Sequence, residues 1–218
     1  MGYKQIVFDV DGTLIDTEYA SLHSLQDTIR QLLQRTIPLP ELRFAMYLTD
    51  AETLRKLGIQ DVRHGTEVWH NYYFRKYLSA ICLFEEISDV LAELKKNHFG
   101  LGIITSETRP EWQNHIRRFH LEEFFDTVIC AEDTVRHKPD PEPMQLYLQR
   151  TGVTEKDVLF IGDSLSDRQC AFASGVDFGF ARWSRSPMPE KQATYTFHHP
   201  SDIPRLLSRG PGDDVRRL

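Results

Sequence analysis

Four carboxylates (Asp9, Asp11, Asp163 and Asp167), two hydroxyls (Thr105 and Ser106) and one ammonium (Lys138) stand just beyond short apolar runs in this sequence. Packing alone asks for none of these types at such places. Asp9 and Asp11 are two residues apart, so in extended backbone their side chains lean the same way. Carboxylates brought together repel unless a cation sits among them. An all-oxygen cluster with no His or Cys beside it suits Mg2+, a hard ion that prefers oxygen ligands. With the cation bound, a carboxylate can approach an anionic phosphate. The Thr105 hydroxyl and nearby backbone N–H groups can then hold phosphate oxygens. Lys138 can neutralise charge that develops during phosphoryl transfer, where catalysis is mainly positioning and electrostatics. Gly12 lets the chain turn away close to a ligand.

Taken singly, each of these positions has an ordinary reading. Asp11-Gly12 is a common turn, and so is Gly162-Asp163. Thr105-Ser106 can cap a helix, and Lys138-Pro139 can lie in a surface loop. Their order, each behind an apolar run, is what carries the functional reading.

The elements that must position them are strands and helices in alternation. Residues 3–8 (YKQIVF), 101–105 (LGIIT), 127–131 (TVICA) and 158–162 (VLFIG) read as strands buried on both faces, and 176–181 (VDFGFA) as a weaker fifth. Between them, 87–96 and 112–119 have helical spacing. Asp140 suits a helix N-cap, Pro141 the first helical position, and Gly152 the end. A further helix covers 167–173 and stops at Gly175. The last elements are a short strand at 194–197, after the loop SRSPMPE, and a helix at 201–207. Residues 210–218 read as a frayed polar tail. Alternation of this kind means βαβ units and a doubly wound parallel sheet, a Rossmann-like α/β core. In such a sheet ligands bind beyond the carboxyl ends of the strands, where the reactive residues stand.

Residues 16–84 break the alternation. They read as four helices, at 19–34, 40–46, 51–57 and 66–78, with Gly58 ending the third. Such a stretch is too long for a loop. The expected domains are therefore a catalytic α/β core of residues 1–15 and 85–218 and a helical cap of residues 16–84. Trp69, Tyr73 and Tyr77 form one stripe on the last of its helices, read as packed core. The insert hangs on two crossings of the chain and is expected to move as a lid.

The chain has 218 residues, 40% of them hydrophobic, and a formal net charge of -6. That charge argues against nucleic acid or anionic membrane as a partner. No apolar run reaches about 18 residues, so no transmembrane helix is expected, and the N-terminus lacks the apolar run of a signal peptide. Cys82, Cys130 and Cys170 are read as buried reduced thiols of a cytoplasmic protein.

Asp9-Val10-Asp11-Gly12-Thr13, Thr105 after a strand, Lys138-Pro139, and Gly162-Asp163 with Asp167 resemble, in order, the four motifs of the haloacid dehalogenase superfamily. The likeness covers about two thirds of the chain and is greatest to the phosphoglycolate phosphatase and β-phosphoglucomutase branch. The helical insert falls where that superfamily carries a helical cap. The resemblance implies a Mg2+-dependent phosphatase acting on a small phosphorylated metabolite through an aspartyl-phosphate. It implies Asp9 as nucleophile and Asp11 as acid and base. It gives Thr105 and Ser106 to the phosphate and Lys138 to both nucleophile and phosphate. Mg2+ falls to Asp9, the Asp11 backbone carbonyl and Asp163, with Asp167 orienting Lys138 or a bound water.

The alternatives are a phosphomutase on the same scaffold or a non-catalytic metal- and phosphate-binding protein. Dehalogenation has no need of Asp11, and phosphonate hydrolysis would need a cap lysine, for which Lys56 and Lys76 are the candidates. Specificity is assigned to Tyr47, Thr49 and Asp50 on a cap turn, and to Arg109; Glu18, His23 and Arg43 are further candidates. The expected assembly is a monomer or weak homodimer.

Overall fold

The computed structural model describes residues 2–184, 186 and 188–208; residues 210–218, the expected polar tail, lie outside them. Its helices and strands run in chain order as β1 (Gln5–Phe8), β2 (Ile15–Asp16), α1 (Glu18–Leu33), α2 (Leu39–Leu42), α3 (Asp50–Lys56), α4 (Val62–Tyr72), β3 (Cys82–Leu83), α5 (Ile87–Lys96), β4 (Gly100–Ile104), α6 (Arg109–Arg118), β5 (Thr127–Ile129), α7 (Glu142–Thr151), β6 (Val158–Gly162), α8 (Leu165–Ala173), β7 (Asp177–Ala181), β8 (Tyr195–Phe197) and α9 (Asp202–Ser208). The chain divides into two compact units, residues 1–15 with 83–218, and residues 16–82.

In the first unit six strands form one sheet in the order β5-β4-β1-β6-β7-β8, and each neighbouring pair is parallel. This is the doubly wound α/β sheet that alternating strands and helices demand. Side chains alternate along β1. Val7 joins a buried cluster with Met144 and Tyr147 of α7 and Cys170 and Ala171 of α8. Phe8 meets the edge of the Phe125 ring, which in turn meets Trp112 of α6. Helices thus cover both faces of β1. Ile6, Val7, Phe8 and all of β6 are buried, and each large apolar side chain among them contributes roughly 1.5–3 kcal/mol.

The second unit is helical. Leu22, Leu25 and Ile29 of α1 lie three and four residues apart and bury against Leu42, Leu54, Leu57, Ile59 and Trp69. Asp27 of α1 is also buried. It accepts hydrogen bonds from Lys76 Nζ at 2.6 Å, Tyr77 Oη at 2.7 Å and Arg30 at 2.8 Å. Among the described residues no helix is long and apolar enough to cross a membrane.

Several boundaries differ from the sequence expectation. Helix α4 starts at Val62 rather than 66, because the Asp61 carboxylate accepts the His64 N–H at 3.0 Å and caps it. Residues 40–46 split into α2 and a 3-10 turn, Arg43–Tyr47. The helix past 72 continues as a π turn, Tyr73–Tyr77, with Trp69 buried and Tyr73 and Tyr77 half-buried. Pro141, not Asp140, holds the cap position of α7; Asp140 instead accepts the Glu142 N–H. Cys82 is exposed, unlike Cys130 and Cys170, because it lies in β3, which among the described residues pairs with two-residue β2 and no other strand.

Candidate active site

Sheet register brings the acids together. Phe8 pairs with Ile103 on one side and Ile161 on the other. The next residue, Asp9, therefore leaves the sheet beside the ends of β4 and β6, and its N–H still donates to Ile161 O at 2.9 Å. Asp163 follows Gly162, the last residue of β6. Thr105 follows β4 and donates its N–H to Ile129 O at 3.0 Å, which carries the pairing with β5 one step further.

Helix α8 supplies Asp167. Ser164 is its N-cap, and the two make a capping box. The Asp167 Oδ2 accepts the Ser164 N–H at 3.0 Å and its hydroxyl at 2.5 Å. That leaves Oδ1, which accepts from Lys138 Nζ at 2.6 Å. The same ammonium donates to Asp9 Oδ1 at 2.5 Å and to Ile104 O at 3.3 Å. Lys138 precedes Pro139 through a cis peptide bond.

The three groups are nearly sealed from water, with side-chain exposures of 5% for Lys138, 9% for Asp9 and 0% for Asp167. At such burial the pair interactions act at low screening. Burial and the neighbouring Asp167 carboxylate push the Asp9 carboxyl up to about 7, against the pull of Lys138. Burial works against the Lys138 ammonium, yet Asp167 and Asp9 outweigh it and hold the proton above the ordinary lysine range. Asp163 is raised well above the usual carboxylate value by burial, Asp167 and Asp9, and is relieved in part by Lys138 and a hydrogen bond with Ser184.

One carboxylate oxygen each from Asp9, Asp163 and Asp167 lie within 4.8 Å of one another. The expected metal set had Asp11 in the place of Asp167. Both oxygens of Asp167 are already engaged, by Lys138 and by Ser164, so it is the better placed to hold Lys138. Gly12 adopts φ +78 and packs on Asp163: a β-carbon there would sit 2.5 Å from Asp163 Oδ2. Asp11 is half-buried beside it.

The remaining candidates have local partners. Ser106 is exposed. Thr49 caps α3, exchanging hydrogen bonds with Glu52, and Asp50 pairs with His70 Nε2 at 2.7 Å. Tyr47 ends the 3-10 turn, and its side chain lies outside what the structure describes. Arg109 begins α6, where its guanidinium pairs with Asp133 and its N–H donates to Glu132. Arg43 pairs with Glu18 at 3.1 Å, and the His23 Nδ1 meets Tyr19 O at 2.9 Å. Lys76 is fixed on Asp27, which with Tyr77 keeps it protonated. Lys56 lies over the Phe44 ring. An ammonium held protonated is a poor Schiff-base nucleophile.

Sequence reasoning passed over Ser184 and a buried pair, Glu107 and His115. Ser184 lies just past the fifth strand, β7, where the rule applied to the earlier strands already pointed. The Nδ1 of His115 lies 2.6 Å from Glu107 Oε1, and the two are 3% and 7% exposed. Their signal was a histidine in the apolar stripe of α6, between Trp112 and Ile116.

Residues 6–181 match the haloacid dehalogenase-like hydrolase family. A pyrophosphatase, PpaX, of Bacillus velezensis is 28% identical over 82% of this chain and 83% of its own length. A phosphoglycolate phosphatase of Photorhabdus laumondii is 30% identical over 80% of this chain and 78% of its own. Among solved structures, that of a Lactobacillus plantarum protein superposes with a TM-score of 0.85. It is 29% identical, covering 94% of this chain and 100% of that one.

Proposed function

The chain belongs to the haloacid dehalogenase-like hydrolase family, and from that premise we propose that it is a Mg2+-dependent phosphatase that cleaves a small phosphomonoester through an aspartyl-phosphate on Asp9. The buried Asp9–Lys138–Asp167 contact, at 2.5 and 2.6 Å, is the observation that carries this reading. A merely structural ion pair needs one carboxylate per ammonium. Here two converge on Lys138, and a third, Asp163, stands within 4.8 Å of both.

The donor set fits Mg2+. It offers only oxygen, and Lys138 compensates only part of its charge. Burial, Asp167 and Asp9 raise the Asp163 carboxyl, and a cation beside it would favour its ionised form. Asp9 and Asp163, with the Asp11 backbone carbonyl, would hold the ion, which lowers the repulsion between the Asp9 carboxylate and an anionic phosphate.

The chain's own groups divide the remaining work. Asp9 attacks phosphorus. Lys138 fixes the carboxylate and neutralises charge on the phosphoryl group. Asp167, clamped by Ser164, fixes Lys138. Asp11 protonates the leaving alcohol and then takes a proton from the water that hydrolyses the aspartyl-phosphate. The Thr105 hydroxyl accepts the Glu107 N–H at 3.0 Å, which leaves its own proton for a phosphate oxygen. A reducing compartment such as the cytoplasm suits its three free cysteines.

Phosphate release by purified protein with Mg2+, across a panel of phosphorylated metabolites, tests the proposal. The names of the relatives put phosphoglycolate and pyrophosphate first in that panel. Release that disappears with chelator and in Asp9→Asn supports it; release from no compound overturns it.

A further inference from the structure

Glu107 is tied down at three points. Its N–H donates to Thr105 Oγ1 at 3.0 Å, and its C=O accepts from Ala131 N at 2.9 Å. Its carboxylate reaches His115 Nδ1, two turns into α6, at 2.6 Å. The turn that carries Thr105 is thereby locked to β4, to the segment after β5, and to α6.

The lock is made in an unusual way. His115 occupies the buried stripe of α6 with Trp112 and Ile116, where an apolar residue would pack without a partner. Glu107 Oε2 and His115 Nε2 are buried and, among the described residues, have no hydrogen-bond partner. Folding does not call for such an arrangement, since replacing a buried ionic pair by apolar residues of similar volume is often neutral or stabilising. What the pair does supply is a fixed backbone N–H at Glu107, and that N–H sets the direction in which the Thr105 hydroxyl can donate.

We propose that Glu107 and His115 are positioning residues for phosphate binding, a buried brace that aims the Thr105 hydroxyl at the phosphoryl group. This rests on the phosphatase reading above, in which Thr105 holds phosphate. The brace makes its hydrogen bond to the site through Thr105, while its charges are also felt at Asp9 and Asp11. A hydroxyl that binds the phosphoryl group equally before and during transfer shows itself in KM rather than kcat.

The test is a double-mutant cycle with inorganic phosphate as the probe. His115→Phe removes the imidazole partner and is expected to raise both KM and the phosphate inhibition constant roughly three- to tenfold, with kcat within about twofold. Glu107→Gln keeps an acceptor for His115 Nδ1 and should restore most of the affinity that Glu107→Leu loses. In a Thr105→Val background His115→Phe should add nothing, because the group it aims is gone. Should His115→Phe fold poorly, Glu107→Leu/His115→Phe replaces the pair with an apolar one of similar size and carries the same expectation. Unchanged KM and phosphate inhibition in folded variants overturn the brace, and so does a full effect of His115→Phe when Thr105 is already Val. A wild-type protein that neither releases nor binds phosphate overturns the function itself, whereas one that does both while the variants match it overturns only the brace.

Discussion

Gly12 lies so close to Asp163 that a β-carbon on it would stand 2.5 Å from the carboxylate Oδ2. The backbone there also has φ +78, where side chains other than glycine are strained. Gly12→Ala should therefore move Asp163 rather than coexist with it. A displacement on the order of 1 Å can cost about a hundredfold in rate, and the strain should lower stability by about 1 kcal/mol. Turnover titrated with Mg2+ checks this: the variant should need more metal and still reach a lower plateau. Wild-type metal dependence and rate in Gly12→Ala would show that the approach is inconsequential.

Asp9→Asn keeps the size of the side chain and removes the proposed nucleophile. Turnover should vanish while the protein stays folded. Retention of more than about a tenth of the rate, equivalent to less than ~1.4 kcal/mol of barrier, is incompatible with covalent catalysis by Asp9. Acid-quenched wild-type protein, digested and weighed by mass spectrometry, should carry phosphate on the peptide containing Asp9.

Lys138→Met should be the most damaging single change. It leaves Asp9 and Asp167 facing each other without their shared cation, and breaking a buried pair from one side costs roughly 3–5 kcal/mol. Adding Asp167→Asn removes one of the two orphaned charges. The double variant should regain much of the melting temperature and none of the activity. A double variant no more stable than Lys138→Met would mean that the ammonium is not what holds these carboxylates.

Stability without metal should depend on pH through Asp163. Its folded-state pKa is raised above the ordinary value of 3.8, so the folded protein binds the proton more tightly than the unfolded chain. The contribution is fully present below 3.8 and is lost as pH rises through the raised value. In chelator at pH 7.5, Asp163→Asn should therefore be more stable than wild type, and the difference should shrink toward pH 4. With excess Mg2+ the order should reverse, because the ion binds the ionised carboxylate. Urea melts at three pH values decide it; a difference independent of pH and of metal rules the account out.

In the helical unit, Asp27 gathers Lys76, Tyr77 and Arg30. Asp27→Ala removes an acceptor from three donors at once. Lys76 and Arg30 are half exposed and can turn to water, so the loss should be about 1–3 kcal/mol and rest mainly on Tyr77. Burial opposes ionisation of Asp27, but its partners prevail and hold the carboxyl below the usual value. Its contribution is thus present at neutral pH and lost as pH falls through that lowered value. Thermal melts of Asp27→Ala and wild type should converge in acid.

The parts of this molecule with a repeating signal could be read from the sequence. Helix α5 and strand β6 have the boundaries their apolar spacing gives, because each buries a regular set of side chains. The positions of Asp9, Thr105 and Asp163 followed from where apolar runs end. What escaped depends on partners distant in sequence. β2 and β3 have two residues each, too few for any period. The start of α4 is set by one carboxylate, Asp61, and not by a hydrophobic face. The Glu107–His115 pair looks like surface charge until the stripe of Trp112 and Ile116 is seen to include the histidine. The engagement of Asp167 by Ser164 needed the capping box, a spacing legible in Ser164-Leu165-Ser166-Asp167 but not used.

Strand β1 is flanked by β4 and β6, and β5, β7 and β8 lie outside those. Asp9 therefore hangs from the end of an interior strand, which is paired on both sides. Its amide, donated to Ile161 O, should be among the slowest to exchange with deuterium, opening only when the whole sheet opens. Catalytic competence and global folding of this unit should then be lost together. In a denaturant series the activity curve should overlay the unfolding curve, with no stage at which the sheet persists and Asp9 has come loose.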